Sequence, residues 1–151
     1  MKLSNHFTLE ELTHTDVRAD NKCPLELMPD LTKSADMMER VRIALSAAKG
    51  FDVPIIVTSA YRCEAVNKAV GGQPASDHLK AVAVDFKAPA FGTPFEVAKF
   101  LAPRLDVLGI GQCIHEFGRW VHVSQRTPLK PFSRVITISS AGTELGIQAV
   151  A

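Results

Sequence analysis

No stretch of this 151-residue chain approaches the roughly 20 consecutive apolar residues that a membrane helix needs, so no membrane span is expected. Charge of one sign is not in excess either. Seventeen Lys and Arg against sixteen Asp and Glu leave a formal net charge of +1, which offers no electrostatic footprint for nucleic acid or an acidic lipid surface. The opening residues, Met1 to Phe7, lack the apolar core of about 7–15 residues that marks a secretory signal. The expectation is a protein made in the cytoplasm without a signal peptide. Cysteine is scarce: Cys23, Cys63 and Cys113 are odd in number, widely spaced and without a C-x-x-C pair. That argues against a cysteine zinc site and predicts three reduced, mostly buried thiols. There is no internal repeat and no linker-like segment, so residues 1–151 read as a single domain whose weakly patterned tail, 140–151, is expected to fray.

Hydrophobic residues make up 46% and charged residues 22%, the balance of a chain that can bury one ordinary core. Thr8, with Glu11 three residues on, predicts a short capped helix. Leu31, Ala35, Met38, Val41, Arg42 and Leu45 recur at helical spacing, predicting a helix from about 29 or 30 to Lys49 that Gly50 stops. The β-branched run 54–59 predicts a buried strand, and 64–70 a short helix closed by Gly71 and Gly72. From Ala81 to Lys87, apolar Val82, Val84 and Phe86 alternate with Ala81, Ala83 and Asp85, as in a strand with one face on a core. Thr93 and Pro94 open a helix that Pro103 ends early. Strands are expected over 110–117, 119–124 and 134–139.

Chemistry concentrates between Ser76 and Asp85. His78 stands in a polar loop seven residues before Asp85, which lies mid-strand between Val84 and Phe86. His122 sits mid-strand in Trp120-Val121-His122-Val123. Taken singly, each could be a surface or capping residue that never meets the others. A carboxylate in the middle of an apolar strand, however, is costly unless paired or metal-bound. Two imidazoles and one carboxylate suit a catalytic zinc with an open fourth position, and iron(II) uses a similar set.

A metal-dependent hydrolase also needs a general base, and here the residues leave two choices. A two-residue hairpin loop at Gly118-Arg119 puts His115 on the face of His122. A three-residue loop, Phe117-Gly118-Arg119, puts Glu116 there instead. Arg62, just past a strand end, could clamp a substrate carboxylate or form a surface ion pair. Ser76 could bond a substrate carbonyl or merely cap a turn.

Taken together and in this order, Thr58-Ser59-Ala60-Tyr61-Arg62, Val70-Gly71-Gly72, Ser76 to Asp85, and Ile114-His115-Glu116-Phe117 with Trp120-Val121-His122-Val123-Ser124 resemble the zinc D-alanyl-D-alanine carboxypeptidase family. The segment His6 to Leu12 is similar to the start of its small single-domain branch, which includes phage lysis enzymes. The resemblance implies that His78, Asp85 and His122 ligate one zinc, that Glu116 is the general base, and that Arg62 and Ser76 contact substrate. It implies hydrolysis of a peptide bond in peptidoglycan stem peptides; together with the missing export signal it suggests a phage or prophage enzyme that reaches the wall through a separate release system, and a monomer is expected. The family often has glycine where Ala60 and Ala81 stand, so a positive φ at either would strain this backbone. The expected fold is α+β: a small, mainly antiparallel sheet with helices around it and the zinc at the exposed sheet face. The rivals are a non-catalytic module that binds wall fragments or a protein, and a purely structural zinc site.

Overall fold

Thr8 starts the first helix, α1 (Leu9–Leu12), by reciprocal capping. Its hydroxyl accepts from the Glu11 N–H at 3.1 Å, and the Glu11 carboxylate accepts from the Thr8 N–H at 3.2 Å. The computed structural model describes residues 1–150. After a 3-10 turn at Leu25–Leu27, α2 runs over Met28–Lys49 and ends on Gly50, which takes the left-handed conformation at φ 77°. Leu31, Ala35, Met38, Val41 and Leu45 form its fully buried stripe, while Arg42 leaves the stripe to pair with Asp52 at 2.8 Å.

The remaining regular elements are β1 (Ile56–Ser59), α3 (Glu64–Ala69), β2 (Ala83–Lys87), α4 (Pro94–Leu101), α5 (Leu105–Leu108), β3 (Gln112–Glu116), β4 (Trp120–Ser124), β5 (Val135–Ser139) and β6 (Gly142–Leu145). The six strands make one sheet in the order β1-β2-β4-β3-β5-β6. Every pairing is antiparallel except β3 with β5. The α+β architecture read from the sequence is therefore the one observed. One face of the sheet carries Val84, Phe86, Cys113, Val121 and Val123, all fully buried, in one cluster with the α2 stripe and with Val97, Ala98 and Leu101 of α4. Burying each large apolar side chain here is worth about 1.5–3 kcal/mol, which is what fixes the strand registers.

Several elements differ from expectation. The first, β1, is an edge strand paired only with β2, and Ile56 is 52% exposed rather than buried. Burial falls instead on Ile55 and on Val53, just before the strand. The second is β6, which occupies part of the tail and pairs with β5 from Ile136↔Leu145 to Ser139↔Gly142. Its side chains are all exposed, so no hydrophobic alternation betrays it.

The strand expected from Ala81 begins only at Ala83. Asp77–Lys80 forms a 3-10 turn that Ala81 terminates in the left-handed region, at φ 61°. Ala60 has no such φ. The strained alanine is held from two sides. The Ser34 hydroxyl on α2 donates to the Ala81 carbonyl at 2.7 Å, and the Gln125 side chain in turn donates to Ser34 at 2.7 Å. The left-handed alanine costs about 1 kcal/mol, but its buried methyl contributes about 0.8 kcal/mol. Ala81→Gly is therefore expected to change stability by less than about 1 kcal/mol. Calorimetric unfolding checks this, and a loss well beyond that range would mean that the methyl group, not the backbone, holds the turn.

Candidate metal centre

Asp85 reaches the non-core face of the sheet because Val84 and Phe86 on either side of it face the core. The β2–β4 register sets Asp85 opposite His122, and the β3–β4 register sets His122 opposite Ile114. Directly paired residues share a face, so the carboxylate and the imidazole are neighbours by register alone. His78 arrives from the 3-10 turn above them. Ser76 caps that turn, its hydroxyl accepting from the His78 N–H at 3.2 Å. The turn and the strand thus bring together the three residues that the sequence singled out.

The His78 Nδ1 lies 2.6 Å from the Ala60 carbonyl and donates to it, and its Nε2 is aimed at Asp85 Oδ2, 3.2 Å away. A carbonyl partner of this kind fixes tautomer and ring orientation in metal-ligating histidines. The His122 Nδ1 lies 2.8 Å from Asp85 Oδ1. One ligand atom from each of His78, Asp85 and His122 lies within 4.8 Å of the others, and all three residues are buried. The donor set is two imidazole nitrogens and a carboxylate oxygen, converging in a buried place from three separate backbone positions. It fits a divalent cation of the zinc type.

The electrostatics follow from that crowding. Burial pushes the Asp85 carboxyl up, but the charge of His78 and the hydrogen bond from His122 more than reverse this and hold it well below the usual carboxylate range. Burial pushes the His122 imidazole down, and the hydrogen bond and charge of Asp85 outweigh it, so its net shift is upward. Glu116 is shifted upward by burial first and by the charge of Asp85 second.

The hairpin turn decides which of Glu116 and His115 faces His122. Glu116 pairs with Trp120, so the loop is the three-residue Phe117-Gly118-Arg119. Phe117 and Gly118 both take left-handed backbone, at φ 56° and 68°. Glu116 accordingly lies on the face of His122, with its Oε1 3.4 Å from His122 Nδ1. His115 points the other way. It is 1% exposed, donates from Nδ1 to the Gln148 carbonyl at 2.9 Å and packs on Phe95.

Arg62 is not at the surface. Its Nη2 donates to Asp85 Oδ2 at 3.1 Å and its Nε to Ser59 Oγ at 2.9 Å. Its backbone N–H donates to the His78 carbonyl at 3.0 Å, tying the β1–α3 loop to the turn. Sequence reasoning missed the residue that braces this loop. Asn21, buried, donates to the carbonyls of Thr13 and Tyr61 and accepts from the Cys63 N–H. It stands in a polar, irregular stretch where nothing distinguishes it from a surface asparagine. All three thiols are free, and burial pushes Cys113 up to about 12.

His78, Asp85 and His122 open onto a cavity of about 500 Å³, lined also by Arg62, Ser76 and Glu116. A second cavity, of about 300 Å³, shares Arg62, Asp85 and Trp120 with the first and continues toward His14 and Asp16. Of the trio, Asp85 alone lines both cavities.

The family model for Peptidase M15 matches residues 5–124, most of the chain. The chain belongs to the Peptidase M15 family. The resemblance to the zinc D-alanyl-D-alanine carboxypeptidases is thereby borne out, and the matched span contains His78, Asp85, Glu116 and His122. For an M15 peptidase, a family of zinc-dependent hydrolases, a His–Asp–His group able to hold a metal is the expected centre. Among curated proteins, none matches the chain. No helix among the described residues is long and apolar enough to cross a membrane.

Proposed function

We propose that this M15 peptidase binds one zinc ion through His78, Asp85 and His122 and hydrolyses a peptide bond in peptidoglycan stem peptides, as a D-Ala-D-Ala carboxypeptidase or an L-Ala-D-Glu endopeptidase. The observation that carries the reading is the placement of Glu116 beside His122, on the same sheet face as the metal-ligand set and open to the same cavity. Zinc held by His78, Asp85 and His122 would supply a Lewis acid able to polarise a carbonyl and to make a nearby water acidic. Glu116 takes a proton from that water at its carboxylate and passes it to the leaving amine, a task for which an upward-shifted carboxyl is suited. Arg62, within reach of the carboxylate of Asp85, holds the substrate near the reacting carbonyl, and Ser76 contributes a hydroxyl at the cavity wall. The likeness of His6 to Leu12 to the small single-domain branch supports a role in wall lysis.

The rival is a binding module that keeps the fold and the metal but does no chemistry. Zinc content and wall digestion separate the two. The protein is expected to hold about one zinc per chain. It should release peptides from purified peptidoglycan, lose that activity on chelation and regain it with zinc. Mass spectrometry of the products names the bond. Stoichiometric zinc without cleavage of any wall substrate would favour the binding module, and a folded protein that cannot be loaded with zinc would overturn the assignment of the trio.

A further inference from the structure

Asp77 and Arg126 lie outside the machinery described so far. Asp77 is 6% exposed, and both of its oxygens are engaged. Ser124 Oγ donates to Oδ2 at 2.7 Å, and Arg126 Nε donates to Oδ1 at 2.6 Å. The backbone of Arg126 is fixed as well. Its N–H donates to Ser124 Oγ at 3.1 Å, and the Gly111 N–H donates to the Ser124 carbonyl at 2.8 Å. A Cβ at Gly111 would fall 2.3 Å from the Arg126 carbonyl carbon, so only glycine lets the chain pass there.

Yet the side chain so carefully anchored is 47% exposed and lines the same cavity as the metal trio. Among the described residues, no side chain or carbonyl takes its two terminal nitrogens. A guanidinium held by Nε alone presents its Nη1–Nη2 edge, the edge that matches a carboxylate with two parallel hydrogen bonds. A pair built only for stability would gain little at such exposure. Position along the chain sets the scale of the distance, with Arg126 two residues past the end of β4. Ser124 is two residues beyond His122, about 7 Å at 3.4 Å per residue, so Arg126 stands on the order of 10 Å from the metal centre. That is two or three residues of extended peptide. In the second cavity, past Asp85, Asp16 pairs with His14 at 3.3 Å and Arg62 is engaged by Ser59 and Asp85, so the Arg126 arm of the metal cavity is the one that offers an unpaired cationic edge.

We propose that Arg126 binds a free carboxylate of the peptide substrate a few residues from the scissile bond, and that buried Asp77 positions it. This rests on the peptidase reading above and adds which peptides the site prefers: those with a free acid in that arm over their amides.

The test uses a stem pentapeptide, its C-terminal amide, and its form with the D-glutamate α-carboxylate amidated, assayed with the zinc-loaded enzyme. One amide is expected to be cut about 10–100-fold less efficiently than the parent, mainly through KM, which identifies the carboxylate that is read. Arg126→Gln should lower kcat/KM for the parent by a similar factor and bring the acid-to-amide ratio close to one, with zinc per chain unchanged. Arg126→Lys should restore part of the ratio. Equal losses on acid and amide would assign Arg126 a structural role and overturn the proposal, as would a wild type indifferent to both amidations. Calorimetric binding of the same peptides reads the ratio without turnover. A zinc-loaded protein that cuts nothing but still prefers the acid would sink the peptidase reading and keep this one.

Discussion

Glu116→Gln is expected to lower kcat on wall peptides by about 10²–10⁴-fold, the range for losing a positioned proton carrier. Glutamine keeps the shape and the face, so the change isolates the proton. Neither zinc content nor folding should suffer, because Glu116 does not belong to the metal-ligand set and its burial as a carboxylate is unfavourable. The sign follows from its upward shift. Between the ordinary carboxyl value of 4.5 and its raised folded value, the folded state holds more protons than the unfolded one, so ionising Glu116 costs stability as pH rises. The metal-free variant should therefore be at least as stable as wild type at neutral pH. The check is single-turnover kinetics beside zinc analysis and thermal unfolding. A variant that keeps wild-type turnover would remove Glu116 from the mechanism, and a variant that loses zinc would make it part of the metal site.

The turn that places Glu116 shows where sequence reading stops. Gly118 announces a hairpin, but both loop lengths tolerate a glycine there, and the choice between His115 and Glu116 hangs on one residue of register. The structure resolves it by putting Phe117, a bulky residue, in left-handed backbone, which no sequence rule favours. The trio itself was legible because Asp85 interrupts an apolar alternation and His122 sits mid-strand, so their burial and shared face follow from strand parity. His78 was legible only as part of a motif, since its place depends on a 3-10 turn and on a left-handed alanine. Asp77 and Arg126 are 49 residues apart, and each looks like an ordinary loop charge until the fold joins them. In the same way, Ser34 and Asn21 are buried polar braces that reach Ala81, and Tyr61 and Cys63, across 40 or more residues, and local pattern carries no trace of such pairings.

Removing the metal should reverse the pH response of stability at this site, and Asp85→Asn should erase most of that response. In the metal-free protein the depressed Asp85 contributes stability that is present above its ordinary value of 3.8 and is lost as pH falls through its folded value. The raised His122 contributes stability that is complete below its ordinary value of 6.5 and is lost as pH rises through its folded value. Both contributions coexist only in a mildly acidic window, so metal-free protein should be most stable there and weaker toward pH 8. Zinc works in the opposite sense, because a ligating imidazole must first give up its proton. Its stabilisation should grow from pH 5 to pH 8, approaching about 4 kcal/mol when zinc exceeds its Kd a thousandfold. With asparagine at 85 the carboxylate partner of His122 is gone. Its imidazole should titrate nearer its ordinary value and zinc affinity should fall steeply, while Arg62 loses its buried counter-charge at a cost of about 3–5 kcal/mol for such broken pairs. Thermal unfolding of both proteins across pH, with and without zinc, separates these effects. Parallel curves for wild type and Asp85→Asn in the metal-free state would mean that the carboxylate does not govern the His122 proton, and the electrostatic account of the site would fail there first.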